Sequence, residues 1–330
     1  MKADVDRRPV TLEEVARVAG VSRATVSRVV NGVATVDREL RQVVEKAIST
    51  TGYVPNRAAR SLVTRRAGAI GLVLPDEDRT VHDPYFGRVV SGVLPVIRPL
   101  GVQLVLTASH EQVVDDIRQG RLDGVILIHT HDADPLPRLL TRANLPVVLA
   151  ARPGKPMPIT YVDVDQAAGA ELAVDHLVAR GARRLATVTG PLERTPGQDR
   201  LRGFREAVAR HGLPDPAVVH GDFTREGGAA AARGLPADVD GVFVASDLMA
   251  SGVLPVLRRR GLRVPEDVRV VGFDDSPPAL ECDPPLTTVR QPVEDMAAEM
   301  VRLLVERVER PDRPTSSVVF DPTLVVRKSA

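Results

Sequence analysis

Residues 11–32, TLEEVARVAGVSRATVSRVVNG, leave the chain little choice of local fold. Thr11 and Glu14 have capping-box spacing, which gives a first helix a defined start. Leu12, Val15, Ala16 and Ala19 recur with helical period, and Gly20 supplies the turn that ends the run. Ser22 is placed to cap a second helix, roughly Arg23 to Val30. Val26, Val29 and Val30 can pack inward, while Ala24, Thr25, Ser27 and Arg28 are short or basic. Small side chains allow close approach to base edges, and arginine can bond guanine bidentately. The pair reads as a helix-turn-helix, the geometry that places a helix end in a DNA groove.

A third amphipathic helix is expected after Asp37, through Leu40, Val43, Val44, Ala47 and Ile48 to Gly52. It completes a headpiece large enough to bury a small core. The next segment, Tyr53 to Arg66, is basic and nearly without a hydrophobic stripe, with Asn56 placed as a helix cap after a proline. Nucleation is costly at this length, so the segment is a poor helix in isolation. It reads either as a solvated linker or as a hinge that folds only against DNA.

The headpiece sequence, VTLEEVARVAGVSRATVSRVVNG…VDRELRQVVEKAISTTGYVPNRAARSL, resembles that of the lac repressor family. The likeness continues in IGLVLPD (70–76), DGVIL (123–127), GPLERTPGQDRLRGF (190–204), VASDLMASG (244–252), VPEDVRVVGFDD (264–275) and PPLTTVRQP (284–292). It implies an all-α helix-turn-helix headpiece plus an α/β core of two doubly wound parallel-sheet lobes, like a periplasmic binding protein. The expected divisions are a headpiece at 1–55, a hinge at 56–66 and a core at 67–330. Within the core the first lobe takes about 67–162 and 292–320, and the second about 163–290 and 321–330. Three crossovers are expected, near 162–164, 289–292 and 319–322.

Residue composition bounds the reading independently. A chain of 330 residues should form more than one domain, and 43% hydrophobic content is ample for buried cores. A net charge of +1 excludes a general polyanion binder, so basic groups must be concentrated if DNA is the ligand. They are: Arg23, Arg28, Arg57, Arg60, Arg65 and Arg66 all fall in the headpiece and hinge. The single cysteine, Cys282, excludes an internal disulfide framework and fits a reducing compartment. A charged amino terminus without a secretory signal, and no apolar run of membrane-spanning length, lead to the expectation of a cytoplasmic protein.

Beyond Arg66 the pattern becomes an alternation of strands and helices. Apolar runs at Ile70–Leu74, Gln103–Thr107, Gly124–Ile128 and Val147–Ala150 alternate with helical stretches near 84–98, 110–119 and 135–143. The series resumes at Leu185–Thr189, Val218–His220, Val242–Ala245 and Val268–Phe273. Continuous Val/Ile/Leu runs between helices mark parallel strands covered on both faces. The carboxyl-terminal SVVFDPTLVVR reads as one further strand. Ligands of such sheets bind outside the carboxyl ends of the strands, so the cleft between lobes is the expected site.

Tyr85 and Phe86 follow the first strand in a chain that is only 3% aromatic, and could stack on a ligand or anchor the next helix. The family resemblance implies that Arg200 contacts effector hydroxyls or a carboxylate, that Phe223 stacks, and that Asp274 receives paired hydroxyls. Ser246 stands where the family often has asparagine, and Gln291 lies on an expected crossover. The stretch Glu77–His82 is longer than the plainest family pattern. Carboxylates, an arginine and aromatic faces suit a polyhydroxylated ring, so a sugar is the expected effector, with a purine or a sugar phosphate as alternatives.

The resemblance also implies the DNA contacts. Arg23, Ala24 and Arg28 would read base edges, with Thr25 and Ser27 supporting through phosphates. Tyr53, Asn56 and Arg57 would add DNA contacts, and Leu62 would wedge into a central minor-groove step. A homodimer would present two headpieces to a near-palindromic operator. No cofactor and no metal is expected: His129, His131 and Asp132 lack distant partners, and no GxxxxGK[ST], GxGxxG or GxSxG occurs. A fused enzyme would need a catalytic constellation that the sequence does not offer, and a solute-binding protein would need an export signal and no headpiece.

Overall fold

The computed structural model describes residues 10–30, 35–53, 66–74, 83–107 and 110–330, arranged in two units, Met1–Gly68 and Ala69–Ala330. Asn56, Arg57, Leu62 and the stretch Glu77–His82 lie outside the described residues.

In the first unit, α1 (Leu12–Ala19), α2 (Arg23–Val30) and α3 (Arg38–Thr51) start and stop where local chemistry directs. Thr11 and Glu14 form the reciprocal capping box, and Gly20 ends α1 at φ 66°. The Ser22 hydroxyl accepts the Thr25 amide at 3.0 Å at the head of α2. Asp37 accepts the Glu39 and Leu40 amides at the head of α3, and Gly52 closes it at φ 67°. The three apolar faces meet in one small core of Val15, Ala16, Val26, Val29, Val44, Ala47 and Tyr53.

The second unit holds two six-stranded sheets of matching topology. The first contains β1 (Ala69–Val73), β2 (Gln103–Thr107), β3 (Gly124–Leu127), β4 (Val147–Leu149), β5 (Thr160–Val164) and β11 (Ser317–Phe320), in spatial order β11-β5-β4-β3-β1-β2. The second contains β6 (Leu185–Thr189), β7 (Ala217–His220), β8 (Gly241–Val244), β9 (Arg269–Asp274), β10 (Thr287–Arg290) and β12 (Thr323–Val325), ordered β12-β10-β9-β8-β6-β7. Every pairing in the first sheet is parallel, and the one antiparallel pairing in the second is the β12 edge against β10. SVVFDPTLVVR is therefore two strands in different sheets, parted at Asp321–Pro322, rather than one. Proline removes a ladder donor, and the chain changes lobes there.

Helices cover both faces of each sheet. In the first lobe α4 (Pro84–Leu100) packs on α12 (Val293–Glu309) over a core that includes Ile70, Leu72, Ile126 and Met300. In the second, α7 (Gln166–Ala179) packs on α8 (Thr195–Arg210) over a core that includes Ala170, Leu177, Phe204 and Phe273. The chain passes between lobes after β5, after β10 and after β11. Strand β5 reads only as a change of pattern in the sequence, because Asp163 interrupts its apolar run.

Helices α7 and α8 touch at Gly203, where an added Cβ would stand 2.3 Å from the Ala167 carbonyl oxygen. That oxygen is backbone and cannot step aside cheaply. Gly203→Ala is expected to destabilise the second unit by about 1–3 kcal/mol, the usual cost of overpacking. Thermal unfolding of the purified variant checks this, and an unchanged midpoint would show that the helix pair yields freely.

Candidate functional site

Two surfaces gather the side chains expected to act. On the headpiece, α2 leaves Arg23, Ala24 and Arg28 exposed, with Thr25 and Ser27 half-buried. Arg23 Nε lies 3.0 Å from Glu13 Oε1, both largely exposed, so this pair holds the arginine only weakly. The Thr25 hydroxyl is within 2.9 Å of Ser22 Oγ, as part of the cap. Tyr53 departs from the expected pattern: it is only 9% exposed and belongs to the headpiece core, because Gly52 turns the chain back over α1 and α3.

The second surface is a cleft between the lobes, at the carboxyl ends of their central strands. Tyr85, Arg200, Phe223, Ser246, Asp274 and Gln291 all line it. Phe86 does not. It packs against the first-lobe core, since its neighbour Tyr85 takes the position of α4 that faces the cleft.

The polar side of the cleft is built around Arg200, which is buried. Its guanidinium lies over the Phe273 ring at 3.6 Å from the centroid and 5.7 Å from that of Phe223. Nε donates to Gln166 Oε1 at 2.8 Å, and Nη1 donates to the Ala245 carbonyl and lies 3.5 Å from Asp274 Oδ1. Burial pulls the arginine pKa down, against the charges of Asp274, Asp163 and Asp247. The Asp274 carboxylate also accepts Gln291 Nε2 at 2.7 Å. Burial lifts this carboxyl above the usual carboxylate range, against the pull of the Arg200 charge.

Ser246 caps α10 (Asp247–Arg259), its hydroxyl accepting the Met249 amide at 3.2 Å. The next residue, Asp247, is wholly buried and accepts from Thr288 Oγ1 at 2.6 Å and from the Ser276 amide at 2.8 Å. These bonds fix the loop after β9 to the head of α10. Burial, reinforced by the Asp274 charge, raises the Asp247 carboxyl as well.

Aromatic faces complete the cleft. Tyr85 stands 5.2 Å, centroid to centroid, from the His129 ring, and His129 Nε2 is 3.8 Å from Asp83 Oδ2. Phe223 covers Gly190, where a Cβ would fall 2.1 Å from the ring, so the GPL motif needs glycine for this close approach. His129, Phe223 and Asp274 hold positive φ angles of 55°, 64° and 118° without being glycine. Such backbone persists only where surrounding structure enforces it, and it concentrates at ligand sites.

The lining also includes polar residues outside the sequence candidates for effector binding, Arg88, His129 and Gln166 among them. Arg88 pairs with Glu294 through two bonds of 2.7 Å and donates to the Asp274 and Gln291 carbonyls. Its position one turn after Tyr85 on α4 was a usable signal. Gln166 gave none, since its partners lie on other elements.

The arrangement offers hydroxyl acceptors and donors between two aromatic faces. Among the described residues no group of three metal-ligating side chains converges, and no helix is long and apolar enough to cross a membrane.

Residues 11–56 match the bacterial regulatory proteins of the lacI family, and residues 174–330 match the periplasmic binding protein-like domain. The chain is 44% identical to the HTH-type transcriptional regulator CelR of Thermobifida fusca, over 98% of each protein. Among solved structures it is similar to a transcriptional regulator CelR–cellobiose complex, with TM-score 0.77 and 42% identity over 98% of this chain and 100% of that one. It is also similar to the lac repressor dimer bound to operator and the anti-inducer ONPF, with TM-score 0.83 and 28% identity over 98% and 99% of the two chains. With a helix-turn-helix headpiece, two lobes of matching topology and full-length likeness to these regulators, the chain belongs to the lacI family and is a transcriptional regulator.

Proposed function

We propose that this regulator is a repressor of carbohydrate-metabolism genes. It binds a near-palindromic operator as a homodimer, and its affinity for DNA answers to a sugar held in the interlobe cleft. The observation that supports the sugar is the lining of the cleft: Arg200, Asp274 and Gln291 form a bonded polar group between the aromatic faces of Tyr85 and Phe223. Arg88 and Arg200 are each matched by a carboxylate, Glu294 and Asp274, which favours a neutral polyol over a sugar phosphate. The CelR structure with cellobiose makes a β-linked disaccharide the first ligand to test.

In this reading residues 1–55 form the headpiece, 56–66 the hinge, and 67–330 the effector-binding core with lobe boundaries near the crossovers. Arg23, Ala24 and Arg28 read base edges, Thr25, Ser27, Asn56 and Arg57 support them, and Leu62 wedges into the central step. Effector occupancy changes the lobe angle and, through the hinges, the fit of paired headpieces to DNA. A 100-fold change in operator affinity requires about 2.7 kcal/mol of differential effector binding.

Fluorescence anisotropy with DNA from the chain's own promoter, titrated with and without cellobiose, ribose and sugar phosphates, tests the proposal and reads the sign of the response. A neutral sugar should shift the operator Kd at least tenfold. Indifference to every sugar would overturn the effector assignment. Leu62→Ala should weaken specific operator binding more than tenfold and leave effector affinity untouched; equal binding would remove the wedge.

A further inference from the structure

Four polar contacts and one peptide bond close a ring across the first crossover between the lobes. The Arg152 amide donates to Asp163 Oδ2 at 2.9 Å, and Asp163 Oδ1 accepts Gln166 Nε2 at 2.8 Å. Gln166 Oε1 in turn accepts Arg200 Nε at 2.8 Å. Asp199, the residue before Arg200 on α8, takes the Arg152 guanidinium in a two-pronged pair, Nε at 2.5 Å and Nη2 at 2.8 Å. Arg152 and Asp163 belong to the first lobe, whereas Gln166, Asp199 and Arg200 belong to the second.

We propose that this ring sets the angle between the lobes and aims Arg200 into the cleft, with Gln166 as its positioning residue and Arg152–Asp199 as the clasp. Asp163, Gln166, Asp199 and Arg200 are each at most 6% exposed. Opening the lobes at this crossover therefore takes the Arg152 donors from two buried carboxylates, leaving Asp199 only the partly exposed Arg202 at 3.3 Å as an ion-pair partner, a larger loss than parting an exposed pair. The two-pronged geometry also fixes direction, because a planar guanidinium meets both carboxylate oxygens in one orientation. Thr195 Oγ1 donates to the Arg152 carbonyl at 3.0 Å, holding the head of α8 to the same residue. Since Asp199 and Arg200 are neighbours on one helix turn, movement of the clasp moves the effector arginine with it. Both sides of the Gln166 amide are occupied within the ring, so its flip or loss breaks the link from Asp163 to Arg200 Nε and leaves the clasp as the ring's remaining tie to the first lobe.

The effector part of the proposal rests on the sugar reading above, and the lobe-angle part does not. Spin labels at Arg142→Cys and Arg205→Cys, in a Cys282→Ala background of the full chain, report the distance between lobes without any ligand. Asp199→Asn should broaden and shift that distance, and Arg152→Asp combined with Asp199→Arg should restore it. An unchanged distance in Asp199→Asn overturns the clasp. Gln166→Met, close in volume, should lower cellobiose affinity tenfold or more at an unchanged far-ultraviolet spectrum, and unaltered affinity overturns the positioning role. If the unmodified chain binds no sugar, the sugar reading fails, while the spin-label distances still decide the ring.

Discussion

Arg200→Met is expected to abolish effector binding and to lower the stability of the second unit by about 3–5 kcal/mol, the cost of leaving a buried charge without its partner. Methionine can still cover the Phe273 ring, so lost packing is a small part of the effect. The large part is Asp274, whose carboxylate loses the Arg200 charge and keeps the Gln291 amide and the charge of Arg88. For a unit of this size the loss corresponds to a fall of roughly 10 °C in the unfolding midpoint, which calorimetry at neutral pH measures. The deficit has a defined pH sense. Burial already raises the folded-state pKa of Asp274, and removing Arg200 raises it further. Above that value the carboxyl is charged and the deficit is complete; as pH falls through it, the group protonates and the deficit narrows. Adding Asp274→Asn to the variant should recover part of the stability. A deficit independent of pH, or no recovery, would show that Arg200 stabilises by packing alone.

The second expected result concerns the headpiece. Tyr53→Ala should cost about 3–5 kcal/mol, as truncation of a large core side chain does. A three-helix unit of this length has only a few kcal/mol to lose. Specific operator binding should therefore fall more than a hundredfold at 37 °C, while ligand binding by the core is unaffected. Tyr53→Phe distinguishes packing from contact with DNA. A buried ring should tolerate the loss of its hydroxyl and keep operator affinity within about threefold. If phenylalanine is as damaging as alanine, the hydroxyl touches the DNA backbone and the packing account fails.

These two residues illustrate how far the sequence could be read. Thr11, Glu14, Gly20, Ser22, Asp37 and Gly52 act on amides and carbonyls a few positions away, so the headpiece helices could be placed from local spacing alone. The alternating apolar runs fixed most strands for a similar reason, since a strand buried on both faces must be continuously hydrophobic. The burial of Tyr53 was not legible, because a tyrosine after a helix-ending glycine can face solvent or core, and only the path of the chain chooses. The same applies to the pair Tyr85 and Phe86: one residue step, about 100° of helix phase, puts the first in the cleft and the second against the core.

The sequence by itself determined the helix-turn-helix, the alternation of strands and helices, and the positions beyond the strands' carboxyl ends from which Tyr85, Arg200, Phe223, Ser246 and Asp274 reach the cleft. Tertiary structure alone decided which polar groups meet there. Arg88 finds Glu294 across 206 positions, and Arg200 finds Gln166 across 34 and Asp274 across 74. Periodicity and capping are short-range regularities, fixed by the geometry of one helix or strand. Pairing between distant positions depends on how the helices and strands of a lobe pack against each other, and that relation is written in no single stretch of chain.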